Sequence, residues 1–379
     1  MGSAIPAGKA GPRRQEETGM DIARPHGLTT APAAATRDAT AKVRAWLYLL
    51  AVLVLAMTAV GGATRLTGSG LSITEWKPVT GAVPPLSDVA WAAEFDKYRA
   101  SSQYRNLNQG MELGEFQFIY WWEWSHRQLG RLIGIVFALP LVAFWWTGAI
   151  RGRLALTILG AGVLGGLQAT VGWIMVASGL EAGMTAVAPV KLMLHLTLAA
   201  LILALLVGVA TSMRPRPAVP GQSPAVARLA LGFAALVLVQ IALGGLVAGS
   251  RAGYTYNTWP LMDGRLVPAA ESLFAGTPWL ENFIDNPLTV QFQHRLAAYA
   301  VAAFAFAMAF VVRRRHPASR AGRRATVLAG MVVAQMALGI ATLLLVVPLW
   351  AGLAHQLLAM AILAMAVVHW QASRAERPA

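Results

Sequence analysis

The chain has 379 residues, 56% of them hydrophobic and only 13% charged, with a mean hydropathy of +0.54. A soluble chain of this length carries roughly 25% charged side chains, so the composition excludes an ordinary water-soluble globule and points to a membrane protein. The absence of cysteine excludes disulfides, iron–sulfur clusters, thiolate haem ligation and cysteine nucleophiles. The net charge of +14 sits mostly in short segments between apolar runs, which argues against a nucleic-acid partner.

Residues 1–44 are rich in Ala, Gly, Pro and Thr and lack both the apolar surface of a folding unit and the apolar centre of a signal peptide. They read as a disordered cytoplasmic tail. Eight apolar runs long enough to cross a bilayer follow, near 45–64, 116–147, 154–177, 186–212, 229–250, 288–312, 325–347 and 351–370. Lys and Arg concentrate in alternate connections: seven in the tail, Arg151 and Arg153 after the second run, Arg214, Arg216 and Arg228 after the fourth, and six Arg from Arg313 to Arg324. The opposite connections are acid-rich, with six acidic against five basic side chains in 65–115 and four against two in 251–287. Both termini are therefore expected in the cytoplasm, with the two long loops facing outward.

The two halves of the chain repeat one another. Gly61-Gly62, Gly70, Trp76 and Pro85 match Gly244-Gly245, Gly253, Trp259 and Pro268 at one offset of 183 residues, and Gln168-x-x-x-Gly172 matches Gln335-x-x-x-Gly339. The expected fold class is an all-α integral membrane protein whose eight transmembrane helices form two tandem, pseudo-symmetric four-helix bundles. The expected division is 45–213 for the first bundle, 214–228 for a cytoplasmic linker, 229–371 for the second bundle and 372–379 for a C-terminal tail.

Candidate chemistry lies on the second, fourth, sixth and eighth helices, which all run in one sense. His126 lies about ten residues into the second. His195 is about two and a half turns into the fourth, and His294 and His355 are a turn or two into the sixth and eighth. Four histidines at one membrane depth, in two matched pairs, suit metal or haem iron bound between opposed imidazoles. A single histidine would read as a packing residue, as do His26, His316 and His369. Glu123 shares a helix face with His126, and a carboxylate inside a span is a functional candidate. The matching position before His294 is the neutral Gln291. Arg127, Arg295 and Lys191 are candidates for haem propionates, with snorkelling to the interface as the alternative.

These motifs together resemble the haem A synthase family, most closely its alphaproteobacterial and mitochondrial branch. The resemblance rests on Gly61-Gly-Ala-Thr-Arg-Leu-Thr-Gly-Ser-Gly-Leu-Ser, Glu123-Trp-Ser-His-Arg, Gly244-Gly-Leu-Val-Ala-Gly, Asn257-Thr-Trp-Pro-Leu-Met and Gln293-His-Arg, with His195 and His355 behind them. It implies an oxidoreductase that converts a ring methyl of haem O, at C8, to the formyl group of haem A for terminal oxidases. It further implies haem O as substrate between His126 and His195, Glu123 as the catalytic acid, and haem b as cofactor between His294 and His355. Haem O synthase, cytochrome oxidase assembly factors, an electron donor, the lipid bilayer and a second copy of the chain are the implied partners. The cysteine pair that some family members carry in an outward loop is missing. The competing reading is a di-haem b-type membrane electron carrier without substrate turnover, and the third is a tandem-repeat transporter with packing histidines.

Overall fold

Within hydrocarbon every backbone N–H and C=O must be paired inside the chain, so apolar runs of this length resolve as helices. The computed structural model describes Met1, residues 31–214 and residues 223–374. Eight helices long and apolar enough to cross a membrane are present among them. They are α1 (Ala31–Leu66), α4 (Leu113–Trp146), α5 (Gly152–Gly179), α6 (Pro189–Ser212), α7 (Pro224–Gly249), α9 (Pro287–Arg315), α10 (Arg320–Leu344) and α11 (Leu349–Ser373). Three short helices lie in the long loops: α2 (Asp88–Arg99), α3 (Ser102–Leu107) and α8 (Ala270–Leu273). No strand is named among the described residues; one isolated bridge joins Met262 and Arg265.

Several boundaries differ from the sequence expectation. Helix α1 begins at Ala31, inside the segment read as a disordered tail, while residues 2–30 and His26 fall outside the described residues. Helix α7 begins at Pro224, inside the segment read as a linker, because Ser223 accepts from the Val226 N–H as an N-cap and Pro224 takes the first helical position. The loop helices α2 and α3 start the same way on Ser87 and Ser101. Residues 215–222 and 375–379 lie outside the described residues.

The packing is organised on α1 and α7. Helix α1 packs on α4 and α6, and α6 packs on α5; helix α7 packs on α9 and α11, and α11 packs on α10. The two groups meet where α6 lies against α7 and α11, and α1 against α11. Small residues permit the close approach there, as expected for helices that cannot use the hydrophobic effect against one another. A Cβ added to Gly249 would come within 2.6 Å of the Pro189 backbone, and one on Gly245 within 2.9 Å of the Met193 backbone. The Arg65 guanidinium donates to the Ala248 carbonyl, tying α1 to α7.

Pro140 lies inside α4 and cannot donate to the carbonyl of Val136 one turn earlier. That carbonyl is instead the acceptor for the Trp46 indole N–H of α1 at 2.7 Å, and the Trp46 ring sits against Phe137 and Phe144. Trp46→Phe keeps the ring contacts and strands the Val136 carbonyl. A loss of about 1–3 kcal/mol in unfolding free energy is expected, read as a lower unfolding midpoint in detergent.

Candidate functional site

His126 and His294 lie on the helices that follow the two long loops, and His195 and His355 lie near the starts of α6 and α11, which follow the short connections 180–188 and 345–348. His126 of α4 and His195 of α6 are within electrostatic reach of each other, as are His294 of α9 and His355 of α11. Each ring rests on a glycine of a neighbouring helix. A Cβ built on Gly61 would lie 3.0 Å from the His126 ring, one on Gly172 2.8 Å from His195, one on Gly244 3.3 Å from His294, and one on Gly339 2.7 Å from His355. The repeated glycines of the sequence thus serve one purpose, leaving room for an imidazole against a helix backbone.

A glutamine one turn before the glycine completes the arrangement in three of the four cases. Gln168 donates to the His195 carbonyl at 3.1 Å, Gln335 to the His355 carbonyl at 2.9 Å and Gln240 to the His294 carbonyl at 3.1 Å. Each amide nitrogen also lies 3.1–3.4 Å from an imidazole nitrogen of the same histidine. Gln240 is a residue that the sequence reading missed. Its signal was available, because Gln240-x-x-x-Gly244 repeats the spacing of Gln168-x-x-x-Gly172 and Gln335-x-x-x-Gly339. The fourth copy departs: Met57 precedes Gly61, so no glutamine stands at that position beside His126.

The donor set suits a haem better than a bare ion. Among the described residues no three His, Asp or Glu side chains converge as a metal-binding group, so a bare cation would lack ligands. A porphyrin brings four nitrogens of its own and needs only the two axial imidazoles. Nδ1 of His195 and of His355 is buried without a hydrogen-bond partner, so these rings are not consumed by packing contacts.

Beside the first pair, Glu123 is buried at 3% exposure and accepts four hydrogen bonds. Its Oε1 takes two from the Arg127 guanidinium, at 2.6 and 3.1 Å, and its Oε2 takes one each from the Ser72 hydroxyl and the Ile73 N–H, both at 2.8 Å. Arg127 also donates to the Ile73 and Glu75 carbonyls. The second pair reproduces this frame with an uncharged acceptor. Gln291 accepts from Arg295 at 2.6 Å and donates to the Ala252 carbonyl, while Arg295 donates to the Tyr256, Thr258 and Leu261 carbonyls. Both arginines therefore fasten the loop after α1 or α7 onto the helix that carries the histidine. Lys191 lies one turn before His195, partly buried. His369 is fully buried and accepts weakly from Arg324, away from both pairs.

The first loop is fixed further by ion pairs outside the spans. Glu75 bonds Lys77 at 2.5 Å and Lys97 at 2.7 Å, and these hydrogen bonds hold its carboxyl down to about 2 from an ordinary 4.5. Lys97, held by Glu75 and Glu94, is pushed up correspondingly. An open cavity of about 290 Å³ lies under this loop, lined by Ile73, Trp76, Arg127, Trp173 and Val176 among others.

Comparison with known proteins places these features in a family. Residues 44–367 match the family model COX15-CtaA, described as cytochrome oxidase assembly protein. The chain is similar to the "Heme A synthase" of Methylobacterium sp. (strain 4-46), at 63% identity over 345 residues, which is 90% of this chain and 95% of that protein. It is similar to the protein of the same name from Methylorubrum extorquens (strain PA1), at 62% over 344 residues and 90% of each chain. The one from Brucella anthropi is 48% identical over 332 residues, 88% of this chain and 92% of that protein.

Two outcomes follow from the geometry. Glu123→Gln keeps an acceptor for Arg127 but turns its NH2 toward the Ile73 N–H, where Gln291 has a carbonyl to donate to, so it should cost about 1–3 kcal/mol. Glu123→Ala leaves Arg127 without its partner and should cost about 3–5 kcal/mol, both measured by denaturation in detergent. Because the Glu75 carboxyl is depressed, its contribution is complete above about 4.5 and is lost as pH falls toward 2. Amide exchange at 73–77, corrected for intrinsic rates, should accelerate across that window.

Proposed function

The chain belongs to the COX15-CtaA family of cytochrome oxidase assembly proteins, and we propose that it is a haem A synthase, oxidising a ring methyl of haem O to the formyl group of haem A. The observation that carries this reading is the asymmetry between two otherwise matched histidine pairs. Each pair has a glycine-backed ring on either side, but only the first has a buried carboxylate, Glu123, where the second has Gln291. A pure electron carrier needs no such difference, whereas a site that oxidises its ligand does.

In this assignment haem O is the substrate between His126 and His195. Haem b would be held by His294 and His355, the pair in which a glutamine braces each histidine carbonyl, and it would supply one-electron redox capacity when bound. Going from methyl to formyl removes four electrons, so two successive hydroxylations would give a geminal diol that loses water to leave the formyl group, with an external oxidant taking up those electrons. Glu123 has both oxygens already paired, which supports a fixed negative charge beside positive charge developing on the substrate more than it supports a free proton shuttle. Arg127 keeps that charge in position while fastening the loop that roofs the site. Arg127 gives its donors to Glu123 and to loop carbonyls, whereas the Arg295 Nε–H is buried without a partner, which leaves Arg295 and Lys191 the less committed cations.

The alternating Lys/Arg distribution supports both termini in the cytoplasm and the histidine pairs near the outer face of the bacterial inner membrane. The corresponding packing of α1 with α4 and α6, and of α7 with α9 and α11, supports two tandem four-helix halves. The family description supports work alongside cytochrome oxidase biogenesis, with haem O synthase as the natural supplier of substrate.

Protein purified from cells that make haem O should release haem b together with haem O or haem A on acid extraction and chromatography. Two equivalents of haem b alone would favour the electron carrier, and no haem would sink both readings. His294→Ala should strip the tightly held haem b from the absorption spectrum. Glu123→Gln should keep that spectrum and lower haem A formation by about 10²-fold or more; unchanged output removes Glu123 from the chemistry.

A further inference from the structure

The two histidine pairs differ in a third respect, on the side facing the bilayer. Helices α9 and α10 pack along one another, whereas their counterparts α4 and α5 touch only sparsely. In the most apolar eighteen-residue stretch of α4 no residue is buried, against 28% in that of α9. One contact that closes the α4–α5 seam is Phe137 lying over Gly162, where an added Cβ would come within 2.7 Å of the ring. At the loop end Trp76 meets Trp173, with ring centroids 6.3 Å apart.

The residues along the seam explain its openness. From His126 toward Phe137, α4 presents Gly130 and Gly134; from Gly172 toward Gly162, α5 presents Ala169, Gly166 and Gly165. All five are exposed, and a Cβ built on Gly134, Gly165 or Gly166 would meet nothing within 4 Å. At the matching offsets of 168 and 167 residues the second half carries Ala298, Ala302, Met336, Val333 and Val332. There Ala302 and Val332 are buried, at 9% and 2% exposure. Every one of the five positions is larger in the second half, and although Val333 stays exposed at 49%, the α9–α10 seam is the more closely packed.

We propose that the seam between α4 and α5 is the lateral opening of the first histidine pair to the bilayer, and that it takes the isoprenoid chain of a prenylated porphyrin. The proposal rests on the reading of His126 and His195 as the substrate pair. The glycines and alanine of the seam are uncharged, and a cavity lined by Arg127 of α4 and Trp173 and Val176 of α5 lies at the loop end of the same two helices. A flat porphyrin with two propionates and one long hydrocarbon chain has the matching polarity: carboxylates toward the loop, chain along the apolar seam. Haem b carries no such chain, and the pair assigned to it has no such seam. Substrate must arrive and product must leave by some route, and a branched hydrocarbon chain is dissolved in the bilayer on both occasions, so an opening sideways into lipid spares it a passage through water.

The test copies the closed seam into the open one: Gly130→Ala, Gly134→Ala, Gly165→Val and Ala169→Met together in the full chain. Three of these replace glycine with a better helix former, and resident haem b at the second pair reports that the fold is intact; if it is lost, Gly165→Val alone is read instead. Haem O and haem b are then titrated separately into the first pair by absorption. The expected result is a tenfold or greater loss of affinity for haem O, with haem b changed less than threefold. Unchanged haem O affinity, or an equal loss for both porphyrins, overturns the proposal. His126→Ala serves as the control for the underlying assignment: if it leaves haem O binding untouched, the substrate pair itself is wrong, a failure separable from an inert seam.

Discussion

An imidazole held against the backbone of a neighbouring helix, inside hydrocarbon, is the constraint that the rest of this molecule obeys. The ring is polar and the medium offers nothing to pair with it, so its polar atoms require partners supplied by the chain or by a ligand. It also needs space that two packed helices do not ordinarily leave. The answer is a glycine under each ring and, in three of four cases, a glutamine one turn before the glycine. The glycine fixes how near α1 and α7 lie to the helices carrying His126 and His294. The glutamine ties the histidine backbone to the next helix, so ring and carbonyl are held from the same side.

The same economy sets the loops. An arginine directly after His126 and another directly after His294 reach out to carbonyls of the loop that follows α1 or α7: Ile73 and Glu75 in one case, Tyr256 and Thr258 in the other. These acceptors are themselves 183 residues apart, the offset read from the glycines and tryptophans. The loops share little sequence, and one adds α2, α3 and an aromatic cluster around Phe116. They nevertheless begin on the same pair of carbonyls, because one guanidinium with several donors is enough to define where a loop starts.

Much of this was legible in the chain. Eight spans, the histidines and the Glu123/Gln291 difference follow from apolar run length, repeat offsets and the cost of a carboxylate in a span. The Trp46–Val136 hydrogen bond was not, although Pro140 announced that a carbonyl one turn earlier would be orphaned; the chain does not say which distant donor fills such a gap. Gln240 was legible and overlooked, because an amide in an apolar run carries no charge to draw notice until its spacing to Gly244 is compared with the other two copies. The early start of α7 was written in Ser223-Pro224, a capping signal that hydropathy alone does not register. The openness of the α4–α5 seam was beyond sequence reading, since glycines on a span mark close packing as often as its absence, and only exposure separates the two.

Three departures from the repeat fall on the same half. Met57 stands where Gln240 would place a brace, Glu123 stands where Gln291 is neutral, and a gap of glycines stands where Val332 and Ala302 close the seam. Drift after a duplication would scatter such differences over both halves. Under the proposed assignment their concentration follows instead from two demands that one fold cannot meet at one site. A retained group is served by a braced ligand, neutral surroundings and a sealed wall, because each slows its release. A group that is exchanged at every turnover is served by the opposite of each: a ligand free to yield, a charge that acts on the bound molecule, and a way out into lipid.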